Sequence, residues 1–552
     1  MSAGTILILA VHYSLVAILC FYGAHRIYHS FASKAHMKRL NGTSPYTVEG
    51  LVHYPIVTVQ IPLYNEKFVA ARIIDAVANF EYPQDKLQIQ VIDDSSDETL
   101  AVVNERVAYY KARGFDISHI RRDNRNGYKA GALANAMSHV KGEFIAIFDA
   151  DFIPHSDFIQ KTIPYFKDEK VGLVQSRWSY LNTAKNRLTK IQTIMLDAHF
   201  GIEQITRYGQ GFYFNFNGTA GIWRKKAIDD AGGWKSDTLT EDTDLSYRAQ
   251  MLGWQFIYRP DIHTPSEIPE DMNAFKVQQH RWAKGTIEVM KKLLPSIWKR
   301  KIPLKIKTEA TMHLTANITY LLMFIDSLFF LLPSVHIREN MDINILVWFD
   351  IPIFLFASLS HAYFFLMGQK RLHGTLISKL TTMPALLATS IGLGVNNGRA
   401  VIEALIGYKT GFARTPKKGN VLFAQSARSD TPAEQDISVN PAADFHKTYQ
   451  TNSQYWSSLL ELMLAILYSA FLVWAIYKSY WIVTPFLSLF AIGFYYTSLS
   501  SLFTGKRNGK SRQKKMPLGN KNYTGQQPLH VKAPVLATKP VPKKPNQAYD
   551  NA

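Results

Sequence analysis

Five apolar runs with few or no charges punctuate the chain, at about 5–24, 312–335, 343–367, 457–477 and 481–503. Each is long enough to cross a hydrocarbon core of ~30 Å. Between about 53 and 260 the pattern changes. Short apolar strands at 56–61, 89–92 and 144–148 alternate with helix-like stretches, the signature of an α/β domain with a mainly parallel sheet. Ligands of such sheets bind beyond the carboxyl ends of the strands. Tyr64-Asn65-Glu66, Asp93-Asp94 and Asp149-Ala150-Asp151 stand at such ends. The stretch 380–395 is short and carries Pro384, Gly392 and Gly394, so an interfacial helix is expected there rather than a sixth span. Residues 425–450 are polar and irregular and read as a flexible insertion.

A chain of 552 residues exceeds one ordinary core. The layout expected is an anchor at 1–28, a catalytic domain at 45–305, two spans within 311–367, an interfacial helix and loop at 376–424, the insertion, two spans within 457–503 and a basic disordered tail at 504–552. The net charge of +19 suggests nucleic acid, but about ten of those charges lie beyond Phe503. That tail has almost no base-stacking aromatics, which excludes nucleic acid as the expected partner; anionic lipid headgroups suit it better.

The first run lacks a preceding basic residue and a following cleavage site, while Arg26, Lys34, Lys38 and Arg39 come soon after it. It reads as a retained anchor whose carboxyl side is cytoplasmic. Five spans then put 25–311, 368–456 and the tail in the cytoplasm, in agreement with Lys370, Arg371, Lys379, Lys409, Arg414, Lys417 and Lys418. A multi-pass protein of a cell inner membrane, or of a Golgi membrane in a eukaryote, is the expected setting. Cys20 is the sole cysteine, so no disulfide or cysteine metal site is supported. Asp326 and Asp350 fall inside predicted spans, where carboxylates are costly and face either a cavity or a partner helix.

The polar positions of the α/β region carry chemistry. Asp149 and Asp151 could share a divalent cation, Mg²⁺ or Mn²⁺, if the backbone turns on leaving the sheet. Thr240-Glu241-Asp242 reads as a helix start with Thr240 capping and acids in the first turn. One of those carboxylates could take a proton. In Gln278-Gln279-His280-Arg281-Trp282 the Arg281 fork suits diphosphate oxygens and Trp282 offers a flat face to a sugar ring. Together these make a sugar-transfer site.

Gln60 to Glu66, Val91 to Asp97, Gly127 to Leu133, Asp149-Ala150-Asp151, Phe216 to Gly221, Thr240-Glu241-Asp242 and Gln278 to Trp282 come in an order that resembles the family 2 glycosyltransferases. Their wording is similar to the cellulose synthase-like branch, especially its mannan and glucomannan synthases. The resemblance implies a GT-A, Rossmann-like cytoplasmic domain joined to an α-helical transmembrane domain. It implies Asp242 as the base, ahead of Glu241, with Arg281, Trp282 and Gln278 completing the catalytic set. Tyr64, Glu66, Asp93 and Asp94 correspond to the nucleotide pocket, Lys129 and Asp149 to the phosphate side, and Asn217 and Gly218 to the acceptor side. Phe412-Ala413-Arg414-Thr415-Pro416-Lys417 resembles the family's gating loop, with Thr415 and Lys417 toward the nucleotide.

The function implied is processive, inverting extension of a β-linked, β-1,4 polysaccharide from a nucleotide sugar, with export through the enzyme's own spans. UDP-glucose and GDP-mannose both remain open as donors. A growing polysaccharide, membrane lipid and accessory export subunits are the partners to consider. Two other readings stand beside it: a lipid glycosyltransferase adding one sugar, and a noncatalytic membrane scaffold with a degenerate transferase domain.

Overall fold

The computed structural model describes residues 2–40, 54–339, 341, 346–374, 376–411 and 452–507. The expected gating-like segment with Thr415 and Lys417, the insertion at 425–450 and the tail beyond 507 lie outside the described residues.

Seven strands form one sheet: β1 (Val57–Leu63), β2 (Leu87–Asp93), β3 (Asp116–Ile120), β4 (Phe144–Ile147), β5 (Val171–Tyr180), β6 (Gly221–Arg224) and β7 (Gln255–Ser266), in the order β3-β2-β1-β4-β6-β5-β7. β1 runs parallel to β2 and β4, with Leu63 opposite Asp93 and Gln60 opposite Ile147. The carboxyl ends of these three strands therefore open on one edge. β6 is the antiparallel strand of this otherwise parallel sheet, running against both β4 and β5. The chain reaches it from the carboxyl-end side: Gly221 pairs with Ile147, so Asn217 to Ala220 arrive where β4 stops. Alternating elements in a sequence do not carry strand direction, and this strand is where that matters.

β1 and β2 are apolar on both faces apart from a buried ladder. Thr58 donates to Gln88 at 2.7 Å and Gln60 to Gln90 at 3.0 Å, which pairs one end of each amide inside the sheet.

Among the described residues, five helices are long and apolar enough to cross a membrane: Ala3–Met37, Ile318–Arg338, Ile351–His373, Gln454–Tyr477 and Trp481–Phe503. The first helix runs on to Leu40, past the predicted end of its span, and carries Arg26 and His29 down to the α/β domain. The two intramembrane carboxylates are used between helices. Asp326 meets His12 Nδ1 at 2.8 Å, and Asp350 accepts from Arg338 at 2.6 Å and from the Tyr13 hydroxyl.

The expected short helix at 380–395 is instead Met383–Ile406, with Pro384 in its first turn. Gly392 is a packing seat rather than a break: a Cβ there would lie 2.5 Å from the Gly493 carbonyl and 2.4 Å from Thr497. Small residues at that crossing let the helix press against Thr484–Arg507.

The helix Met272–Lys299 ties the α/β domain to the apolar helices through Lys276, whose buried ammonium donates to Glu461 at 2.6 Å. Removing one partner strands the other charge away from water. Glu461→Gln should cost about 3–5 kcal/mol, lowering the thermal midpoint in detergent, while the paired Lys276→Met/Glu461→Met change recovers most of that loss.

Candidate active site

The edge where β1, β2 and β4 end is a cleft enclosing about 1250 Å³ of empty space, open mouth included. Two strand-end loops are sewn together first. Asn65, at φ +54°, donates its backbone N–H to Ser95 Oγ at 2.7 Å and accepts from the Ser96 N–H at 2.9 Å. This fixes the flanking Tyr64 and Glu66 in the cleft wall.

Asp93 and Asp94 part company because successive strand residues face opposite ways. Asp94 lines the cleft, whereas Asp93, expected there too, is buried, accepting from the Ser95 N–H at 2.9 Å and meeting His119 Nε2 at 3.1 Å. Its partners overcome the cost of burial and hold its carboxyl below the usual range. Asp93 thus shapes the loop from behind and does not reach the cleft.

Lys129 sits in the first turn of the helix Tyr128–Ala136. Its ammonium donates to Asp149 Oδ1 at 2.5 Å and to the Gly218 carbonyl at 2.7 Å. Burial alone would lower its pKa, but Asp149, Glu241 and Asp242 reverse the sign and raise it. The backbone after β4 does turn: Phe152 N–H reaches the Asp149 carbonyl at 3.1 Å, and Thr219 Oγ1 accepts from the Asp149 N–H at 2.9 Å. Asp149 and Asp151 both line the cleft.

Opposite them, the helix Glu241–Met251 begins with its acids in the cleft wall. Thr240 occupies the expected capping position, yet its side chain makes no cap hydrogen bond. It is pressed against the helix Met272–Lys299, where a Cβ at Gly285 would fall 2.5 Å from Thr240 Cγ2. Asp242 accepts from the Thr243 N–H at 2.7 Å. Burial, then the neighbouring Glu241 charge, pushes its carboxyl up to about 7, against the opposing pull of Lys129 and Arg281. Glu241 is likewise raised, by burial. Gly218, at φ +79°, makes this approach feasible, since a Cβ there would stand 3.0 Å from Asp242 Oδ2 in a conformation side chains disfavour.

Gln278, Arg281 and Trp282 occupy one face of the helix Met272–Lys299 at spacings of three and four, and all three line the cleft. Arg281 lies in the field of Glu241, Asp149, Asp242 and Asp151, which counters the lowering of its pKa by burial. His280 is turned away to Glu403 at 3.0 Å.

Several contributors have no counterpart in the sequence reading. Arg122 forks onto Asp94 at 2.8 and 2.6 Å. The Arg125 guanidinium lies 3.2 Å from the centre of the Tyr64 ring and lines the cleft. Trp178 and Glu267 complete the wall from β5 and the end of β7. The basic residues just ahead of Lys129 were a visible signal, but only the fold shows that they close back on β1 and β2.

The donor set suits a divalent cation: two carboxylates on one turn, facing a cleft that also holds an ammonium and a guanidinium. An anion flanked by these groups and a cation would be neutralised from several sides. A raised carboxyl across the cleft is suited to accept a proton near neutral pH.

The α/β region is similar to known proteins. Residues 55–285 match the family model described as glycosyltransferase like family 2. A probable glucomannan 4-β-mannosyltransferase of Oryza sativa subsp. japonica is 45% identical over 253 residues, covering 45% of this chain and 46% of the relative. A glucomannan 4-β-mannosyltransferase of Cyamopsis tetragonoloba is 43% identical over 249 residues, covering 44% and 47%. The aligned chain thus spans about half the length of the curated relatives it matches. Among solved structures, a mannosyltransferase from Pyrobaculum calidifontis in complex with GDP-Man and Mn²⁺ matches with a TM-score of 0.48 at 19% identity, over 72% of this chain and 100% of that one.

Proposed function

We propose that this chain, which carries a family 2 glycosyltransferase-like domain over residues 55–285, is a membrane-embedded inverting hexosyltransferase that extends a β-1,4-linked polysaccharide from a nucleotide sugar. The observation that carries the reading is the convergence of Asp149, Asp151, Lys129, Asp242, Arg281 and Trp282 on one cleft. Asp242 takes the proton of the acceptor hydroxyl as its oxygen attacks the anomeric carbon, in a single displacement. Arg281 and Lys129 hold the departing diphosphate, and Tyr64, Glu66 and Asp94 hold the nucleoside. Trp282 stacks under the acceptor sugar. Asp149 and Asp151 would hold Mg²⁺ or Mn²⁺, whose chemistry is to neutralise charge on the leaving group.

GDP-mannose is the donor we favour, because the relatives aligned over this domain are named as glucomannan 4-β-mannosyltransferases. The five apolar helices support a multi-pass protein whose cleft faces the cytoplasm and whose product leaves along those helices. Solubilised full-length protein given radiolabelled GDP-mannose, UDP-glucose or UDP-N-acetylglucosamine with Mg²⁺ or Mn²⁺ should yield a long β-linked product, most from GDP-mannose. A single sugar on lipid would overturn processivity, and a preference for UDP-glucose would overturn the donor assignment.

A further inference from the structure

A run of polar contacts, part-buried near the cleft and buried at Arg207 and Glu309, leads from the cleft to the first apolar helix. It starts at Asn217, which lines the cleft. Asn217 Oδ1 faces His199 Nε2 at 3.1 Å and accepts from Asn215 Nδ2 at 3.2 Å. His199 Nδ1 faces Glu203 Oε2 at 2.9 Å. Arg207 pairs with the same Glu203 oxygen at 3.8 Å and donates from Nε to Glu309 Oε1 at 3.0 Å. The other oxygen of Glu309 meets His25 Nε2 at 2.7 Å and His29 Nε2 at 3.1 Å, both on the helix Ala3–Leu40. Thr206 adds a bond to the His29 carbonyl at 3.0 Å.

His199, Glu203 and Arg207 share a face of the helical segment running through the π-helical turn His199–Gln204 into Ile205–Gln210. The contacts of Glu309 with the two histidines are at hydrogen-bond spacing, closer than the roughly 3.3 Å between ligands around a tetrahedral ion with bonds of about 2.0 Å. They fasten one helix to another.

Two features give this run a purpose at the cleft. Both ring nitrogens of His199 face oxygens, the Glu203 carboxylate at Nδ1 and the Asn217 amide at Nε2, so the ring is held between the two. The orientation of Asn217 is set by the Asn215 amide donating to its Oδ1, with His199 Nε2 against the same oxygen, which leaves Nδ2 as the working end. That nitrogen is buried and has no protein partner. A buried amide donor in a cleft wall calls for an acceptor that arrives with the ligand.

We propose that His199 is a positioning residue for the acceptor sugar: with Glu203, Arg207, Glu309 and the membrane helix behind it, it holds Asn217 so that the amide N–H₂ meets a hydroxyl oxygen of the incoming saccharide. The inference rests on the glycosyltransferase reading of the cleft. It makes the membrane helix part of the acceptor site, since His25 and His29 brace the far end of the run. The groups facing His199 are Glu203 on its own helix and Asn217 from the loop ahead of β6, with His313 within its field. Burial would raise the Glu203 carboxyl, but Arg207 and His199 drive it well below the usual range, so it stays an anion facing the ring.

The test uses full-length protein with GDP-mannose and a short β-mannan acceptor, following transfer to saccharide, donor hydrolysis by water, and GDP binding. His199→Ala should raise the acceptor KM about tenfold while GDP binding and donor hydrolysis stay at wild-type levels. His199→Gln, which keeps one N–H toward Asn217, should recover part of the loss. Glu203→Gln should shift the acceptor KM in the same direction and serves if His199→Ala does not fold. An unchanged acceptor KM in a wild-type background that transfers mannose overturns this inference alone, as does parallel loss of GDP binding in all variants. Absence of saccharide transfer by the wild type overturns the functional reading instead.

Discussion

Asp242→Asn should lower sugar transfer by about 10³-fold or more while leaving nucleotide binding within about twofold, because the amide keeps the shape but cannot take the acceptor proton. The carboxyl sits at about 7, raised chiefly by burial and next by the Glu241 charge. The working base is the anion, so kcat/KM for the free enzyme should rise with pH and level off above about 7. Stability should run the other way. A carboxyl raised above its ordinary value of 3.8 contributes no penalty below about pH 4; the cost of ionising it grows up to about pH 7 and then stays constant. Asp242→Asn should therefore raise the thermal midpoint at pH 8, by up to about 4 kcal/mol of stability, and leave it unchanged near pH 4. Transfer that survives the substitution, or a variant less stable at pH 8, would remove Asp242 from the role of base.

Chelation should be as damaging. EDTA should abolish transfer in the wild type, with recovery on adding back Mn²⁺ or Mg²⁺, and Asp149→Ala should lose at least about 10³-fold with no recovery at any metal concentration. The substitution acts twice. It removes one of the two oxygen donors on the turn, and it takes from the buried Lys129 ammonium the partner it holds at 2.5 Å. Since Asp149 is the foremost of the charges raising the Lys129 pKa, the variant should lower it and weaken diphosphate binding as well. Asp149→Asn, which keeps an oxygen near Lys129, should bind GDP better than Asp149→Ala yet remain inactive. Undiminished transfer in EDTA would sink the metal role.

The two predictions differ in how directly the chain announces them. Asp149-Ala150-Asp151 follows an apolar strand and faces the right way only because the backbone turns there, as the Phe152 to Asp149 bond records. Asp242 was legible as a candidate from its motif, but its raised carboxyl was not. That shift needs Glu241 beside it and Gly218 close enough for a Cβ to touch its oxygen, and Gly218 lies more than twenty residues earlier in the chain.

Other sites sort the same way. Asp93 and Asp94 look equivalent in a sequence, and strand alternation sends one into the core and the other into the cleft. Thr240 has the composition of a cap but is pressed against the helix at Gly285 and makes no capping bond. His199 has no local pattern to mark it, and the basic run holding Arg122 and Arg125 does not show their partners, because each acts on a residue from another strand or loop.

What the chain determined by itself is what depends on near neighbours: apolar length for five candidate spans, alternation for the α/β sheet, and short motifs for the acids, Lys129 and the Arg281–Trp282 pair. Tertiary structure decided the rest: the reversed direction of β6, the inward face of Asp94, the neutral-range carboxyl of Asp242 and the run from Asn217 to His29. These depend on burial and on charges brought within a few ångströms across long sequence separations, where the field of one group on another is strong. A one-dimensional reading contains no such distances.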